Sequence, residues 1–280
     1  MRKKLFKWFQ VLISLLFVYL FLNKIKLGDL STYLINIKWN YVLISMLLYI
    51  VSQLISSIRL RVILNHFSLP ILFSTCNKLY LLGMFYNFFL PGGIGGDAVI
   101  ALILKKKYSW KLKSLAKCLI LARLIGLTAL VSIIFIIEQG QFFIFNDITR
   151  ILFFFTIPIV SFYVLNYFFK TEKIYLRTLF MSYAVQFFQL FCVFFILKAL
   201  SIPLTLTLSL LTIFLLSALA SVVSFAGIGV REYLFMLSGD YLNTSVEMTA
   251  SVGITFTLVA AIISFFGLYY VIFQKKIYTL

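Results

Sequence analysis

Two glycine clusters that carry charge interrupt an otherwise apolar chain. The first reads Pro91-Gly92-Gly93-Ile94-Gly95-Gly96-Asp97, the second Gly227-Ile228-Gly229-Val230-Arg231-Glu232, and the tripeptide Gly-Ile-Gly recurs in both. Glycine lets a backbone leave the helix without a Cβ penalty. In hydrocarbon, unwound backbone and ionised side chains persist only where protein or a water-filled cavity takes up their hydrogen bonds. A matched pair of such breaks in two halves of a membrane chain points to a binding site at mid-membrane depth.

Composition makes lipid the solvent. The chain is 63% hydrophobic with 32 phenylalanines and only 12% charged residues, against about a quarter charged in soluble domains. The net charge of +17, from 25 basic and 8 acidic residues, is expected to mark cytoplasmic helix ends facing anionic headgroups. Nothing supports nucleic-acid binding, for the chain has neither a helix-turn-helix pattern nor a basic platform interleaved with aromatics. Cys76, Cys118 and Cys192 stand alone in apolar segments and His66 is the only histidine, so no metal site, cofactor or catalytic constellation is expected. Met1-Arg2-Lys3-Lys4 precedes an apolar run, 5–22, longer than a signal-peptide core of roughly 7–15 residues. That run reads as an uncleaved first helix.

Seven segments approach the roughly 20 residues a membrane crossing needs: 5–22, 40–58, 71–90, 112–137, 150–169, 175–197 and 247–272, with an eighth, 204–225, running into the second break. After the first break, 98–104 is apolar but too short to cross. Lys105, Lys106, Lys107, Lys111, Lys113 and Lys117 place one loop in the cytoplasm, and Arg59 and Arg61 place another. With both its ends inside, 71–104 is predicted to enter, break and return. Lys170, Lys173 and Arg177 on one side, and Lys275 and Lys276 on the other, make 204–238 a second re-entrant hairpin of opposite orientation. The expected architecture is all-α and polytopic: one transmembrane domain over 1–280, built from two inverted repeats, about 5–137 and 150–272. Each repeat has three membrane helices and one glycine-broken hairpin, and both termini are cytoplasmic.

The candidate backbone breaks are Pro91, Gly92, Gly93, Gly95, Gly96, Gly227 and Gly229. A short helix starting near Asp97 or Val230 would aim its N-terminus, with free N–H groups and the positive end of its dipole, at the break. Arg123 lies about ten residues into 112–137 and needs a partner, either Asp97, Glu232 or a bound anion. Arg231 and Glu232 form a second charged pair, which also fits a permanent ion pair between helices. Arg59 and Arg61 are explained by a cytoplasmic helix end.

The motifs Leu90-Pro91-Gly92-Gly93-Ile94-Gly95-Gly96-Asp97, Arg123-Leu124-Ile125-Gly126 and Gly227-Ile228-Gly229-Val230-Arg231-Glu232 together resemble the lysylphosphatidylglycerol synthase transmembrane family. That flippase-like domain also stands at the front of the bacterial multiple peptide resistance factor. The resemblance implies a non-enzymatic lipid translocase of the cell (inner) membrane. Its partner would be an anionic or aminoacylated phospholipid or a polyprenyl-phosphate lipid, and a homo-oligomer is compatible with it. Asp97, Arg123, Arg231 and Glu232 would line the headgroup cavity. The alternative is a non-transporting subunit or enzyme accessory in lipid or glycolipid modification. Two positions depart from the family pattern: Ala122 stands where an acidic residue often precedes the motif arginine, and Ala98-Val99-Ile100 stands where an arginine often follows Gly-Gly-Asp. The chain ends eight residues after Ile272, so the tRNA-dependent synthase domain is not expected.

Overall fold

The computed structural model describes residues 27–89, 95–138, 145–221 and 229–272. The expected first helix at 5–22 and the break residues Pro91, Gly92, Gly93 and Gly227 lie outside them. Among the described residues every regular element is helical: α1 (Leu27–Ile35), α2 (Trp39–His66), α3 (Phe73–Phe89), α4 (Gly95–Tyr108), α5 (Leu112–Ile137), α6 (Asp147–Phe169), α7 (Tyr175–Ala199), α8 (Thr207–Ala220), α9 (Val230–Tyr241), α10 (Val246–Phe265) and α11 (Leu268–Ile272). Among the described residues, five stretches are long and apolar enough to cross a membrane: α2, α5, α6, α7 and α10 with α11. The chain is a multi-pass helical membrane protein. The helices flanking the glycine clusters are shorter, at 17 and 14 residues for α3 and α4 and 14 and 12 for α8 and α9.

Five of these helices end the same way. Ser68, Ser109, Lys170, Ser201 and Asn243, each one or two residues beyond a helix, adopt positive φ between 53° and 57°. The left-handed residue turns the following N–H back onto the last orphan carbonyls. Leu69 N–H donates to Leu64 O, Ile202 N–H to Leu197 O and Thr244 N–H to Gly239 O. Sharp stops of this kind let successive long helices follow each other through short connections.

The described chain divides into two compact units whose boundaries fall within helices. The first takes in α1, α2 as far as Tyr49, α7 from Gln189, α8, α9, and α10 as far as Ile263. Its α1 is amphipathic: Leu30 is buried against Met236 and Ala250, with Leu34, Tyr233, Val246 and Ile254 around them. Phe256 of α10 meets Phe214 of α8 edge-on, with ring centroids 4.7 Å apart, and Tyr49 of α2 at 5.7 Å. The α1–α2 connection is held by Lys38 N–H donating to Ala199 O at 3.0 Å.

The second unit holds α2 from Ile50, α3 as far as Tyr86, α4, α5, α6, α7 as far as Phe188, and the chain from Ser264. Ile63, Leu64, Leu79, Leu82, Leu104, Leu115, Leu121 and Ile125 are almost wholly buried and form its centre. α3 and α4 meet closely at Gly83, where a Cβ would lie 2.6 Å from Ile100 Cδ1 and 3.6 Å from Gly96 O. α6 joins through hydroxyl contacts. Thr128 and Ser161 pair at 2.7 Å, and Tyr175 O–H donates to the carbonyl of Pro158 at 2.6 Å. Leu165 is the one fully buried residue of α6, and Ile148, Ile151, Leu152, Phe155 and Ile159 are exposed.

Gly229 opens α9 with φ 85° and ψ −49°, a conformation open to glycine and strained for any residue with a Cβ. Its N–H donates to Glu232 Oε2 at 2.7 Å, so the carboxylate three residues on satisfies one of the helix's orphan donors. Gly229→Ala is expected to destabilise the protein by about 1–3 kcal/mol, read as a lowered thermal midpoint in detergent. Gly28→Ala in α1, where a Cβ would meet nothing within 4 Å, is the control and is expected to leave the midpoint unchanged or slightly raised.

Candidate functional site

α4 begins at Gly95 and carries Asp97 in its first turn, where the positive end of the helix dipole favours a negative charge. α5 is a full crossing, and Arg123 stands eleven residues beyond Leu112, roughly 16 Å along the axis. The structure brings these two predicted residues together: Arg123 Nε donates to Asp97 Oδ2 at 2.5 Å. The pair is not sealed. The Arg123 side chain keeps 46% of its accessible surface and Asp97 keeps 20%. Both line a groove of about 420 Å³ whose walls are otherwise apolar, among them Ala98, Ala101, Leu119 and Ile120. A charged end and an oily wall in one groove suit an amphiphile.

Arg59 belongs to the same neighbourhood, although its sequence context suggested only a helix end. α2 runs on to His66, which puts Arg59 seven residues inside the helix. Its Nη1 donates to Ser182 Oγ of α7 at 2.7 Å, while its Nε is buried with no hydrogen-bond partner. Gly126, the last residue of the Arg123 motif, makes room for it, since a Cβ there would lie 3.2 Å from Nη1. Tyr80 of α3 lies within electrostatic reach of Arg59, Asp97 and Arg123 and hydrogen-bonds Ser56. The signal available in the sequence was the apolar run on both sides of Arg59, which extends well past 58.

Arg231 and Glu232 belong to the first unit and do not pair with each other, as expected for neighbours that project from different faces of a helix. Arg231 stacks over the Phe256 ring, 4.7 Å from its centroid, and its Nη1 reaches Thr257 Oγ1 only at 3.5 Å. Its Nε is buried without a partner. Glu232 is buried and doubly engaged: Oε2 accepts from Gly229 N–H, and Oε1 accepts from Thr257 Oγ1 at 2.5 Å. Gly95 and Gly96 open α4 as part of its helix, and Gly229 is the cap of α9. Among the described residues no three His, Cys, Asp or Glu side chains converge as a metal ion would require.

The family model described as "Lysylphosphatidylglycerol synthase TM region" matches residues 7–169, more than half of the chain. The matched stretch contains the first glycine cluster, Arg59, Asp97, Arg123 and Gly126. No curated protein and no solved structure matches the chain.

The contact between Gly126 and Arg59 can be measured. Gly126→Val is expected to push the guanidinium aside and lower the thermal midpoint, and Arg59→Ala returns the space. A double-mutant cycle should give a coupling of about 1–3 kcal/mol, whereas strict additivity would show that the two positions do not touch.

Proposed function

The chain belongs to the lysylphosphatidylglycerol synthase TM region family, and from that premise we propose that it moves a lipid headgroup across the membrane without changing it covalently. The headgroup enters the polar end of the groove at Asp97 and Arg123 while the acyl chains stay against apolar wall and lipid. The observation that carries this reading is the half-open ion pair at mid-length of a crossing helix, opening onto a groove with apolar walls. A purely structural staple would be better buried.

The short helices around each glycine cluster support the re-entrant part of the proposal. None reaches the roughly 20 residues of a crossing, and α3 meets α4 closely at Gly83. We place the two hairpins in inverted repeats spanning about 5–137 and 150–272, with both termini in the cytoplasm of a cell-membrane protein. Alternating exposure then comes from one repeat rocking against the other. The cargo is an anionic or aminoacylated phospholipid or a polyprenyl-phosphate lipid. Arg123 is the more exposed member of the pair, which favours a headgroup with negative charge.

The test is reconstitution in liposomes with headgroup-labelled phosphatidylglycerol, lysylphosphatidylglycerol and a polyprenyl phosphate, scoring loss of signal to an impermeant quencher. Wild-type protein should speed exchange of at least one lipid over empty vesicles, and Asp97→Asn or Arg123→Gln should each slow it about tenfold or more, as expected for removing one charge-assisted contact. Transport unaffected by both substitutions would refute the assignment, and a covalently altered lipid would place the chain with the modifying enzymes instead.

A further inference from the structure

A second basic cavity lies in the same unit, away from Asp97 and Arg123. The last turns of α2 and the first turn of α7 enclose a cleft of about 500 Å³, lined by Arg61, Asn65, His66 and Arg177 with Ile58 and Val62 deeper along α2. Its polar atoms are nearly all donors. Arg61 spends only Nε on the protein, donating to Ile71 O at 3.0 Å and so fixing the α2–α3 connection. Arg177 makes no hydrogen bond or ion pair among the described residues. Asn65 gives its oxygen to Ile71 N–H at 3.3 Å, which leaves its NH₂ as a donor. His66 Nε2 sits 3.0 Å from the carbonyl of Lys170, and a carbonyl only accepts, so the proton is on Nε2.

We propose that this cleft binds the phosphate of an anionic ligand. Two guanidinium groups with no carboxylate against them, beside an amide NH₂, offer a fork of donors to an acceptor-only group. The ion pairs of the described residues use Asp97, Glu138 and Asp147, none of which lines the cleft, so no carboxylate among the described residues occupies the fork. Ile58 and Val62 add an apolar wall leading into the membrane-crossing part of α2, where the first methylenes of an acyl chain would lie. The phosphate can belong to a phospholipid such as phosphatidylglycerol or to inorganic phosphate in solution. The inference does not rest on the translocation reading, because it shares no residue with the groove at Asp97.

Binding to the full-length protein in neutral detergent tests it, with dihexanoylphosphatidylglycerol, dihexanoylphosphatidylcholine and sodium phosphate as probes. Phosphatidylglycerol should bind more tightly than phosphatidylcholine, whose choline opposes the arginines, and Arg177→Gln should weaken it about tenfold. Arg177 has no protein partner to lose, so the thermal midpoint should not change. Arg61→Lys, which keeps the charge but loses the fork, should weaken it too. Displacement by sodium phosphate identifies the phosphate group as sufficient, and its failure to displace identifies the lipid as the ligand. The proposal is overturned if wild-type protein binds neither anionic probe. It is also overturned if Arg177→Gln leaves binding unchanged, or if Asp97→Asn abolishes binding while Arg177→Gln does not.

Discussion

A guanidinium halfway along an apolar helix must have company. On insertion scales an unaccompanied arginine at the centre of a span costs about 2.5–3.5 kcal/mol, and in α5 that residue is Arg123. The answer comes from Asp97 on α4, a helix of 14 residues that is too short to cross by itself. The contact therefore ties a short helix to a spanning one at the point where the chain has just left its first glycine cluster. Much of the second unit follows from that placement. α4 must lie along α5, α3 must lie beside α4 with Gly83 against Ile100, and the buried leucines and isoleucines of α2 to α5 close around them.

The two glycine clusters look alike in sequence and behave differently in chemistry. Each is followed by a short helix with a carboxylate in its first turn, Asp97 in α4 and Glu232 in α9. Asp97 reaches across to an arginine on another helix. Glu232 turns back on its own helix start, takes the Gly229 N–H and accepts from Thr257. Glu232 thus caps its own helix, and the cation beside it, Arg231, lies over the face of Phe256. The likeness of Gly-Ile-Gly in both places describes backbone freedom, which glycine supplies in either setting. The fate of the charge depends on what the next helix presents.

Spans bounded by abrupt changes in polarity were legible from the sequence. α5 runs over Leu112–Ile137 as expected, because the long apolar run that ends before Glu138 is interrupted only by Arg123 once past Lys117. α1 was not anticipated: nine residues are far too few for a hydropathy signal, and its evidence is the burial of Leu30 and the packing of Leu34, which only tertiary structure displays. Arg59 was misjudged for a related reason. Positive charge near a helix end ordinarily means an interface, and α2 had to be seen continuing to His66 before Arg59 became an interior residue. Asp97 with Arg123 was legible because intramembrane charges of opposite sign have few alternatives to each other. Which of four charged residues would be spent on capping was not, since that depends on the φ of Gly229 and the position of Thr257.

Gly126 shows how the Arg123 motif works as a unit. Residues three apart on a helix share a face, so the same face of α5 that carries Arg123 has a gap at Gly126, and the Arg59 guanidinium lies against that gap. Tyr80 of α3 lies in electrostatic reach of both arginines and of Asp97. The described ion pairs give Asp97 to Arg123 and no carboxylate to Arg59, whose Nε remains buried and unbonded. A buried donor left without an acceptor costs about 1–3 kcal/mol, and a fold bears that cost where a ligand can relieve it or where neighbouring packing outweighs it. The Ser182 contact and the space at Gly126 hold the Arg59 guanidinium in place, so a larger side chain at 126 displaces it from the face of α5 that carries Arg123.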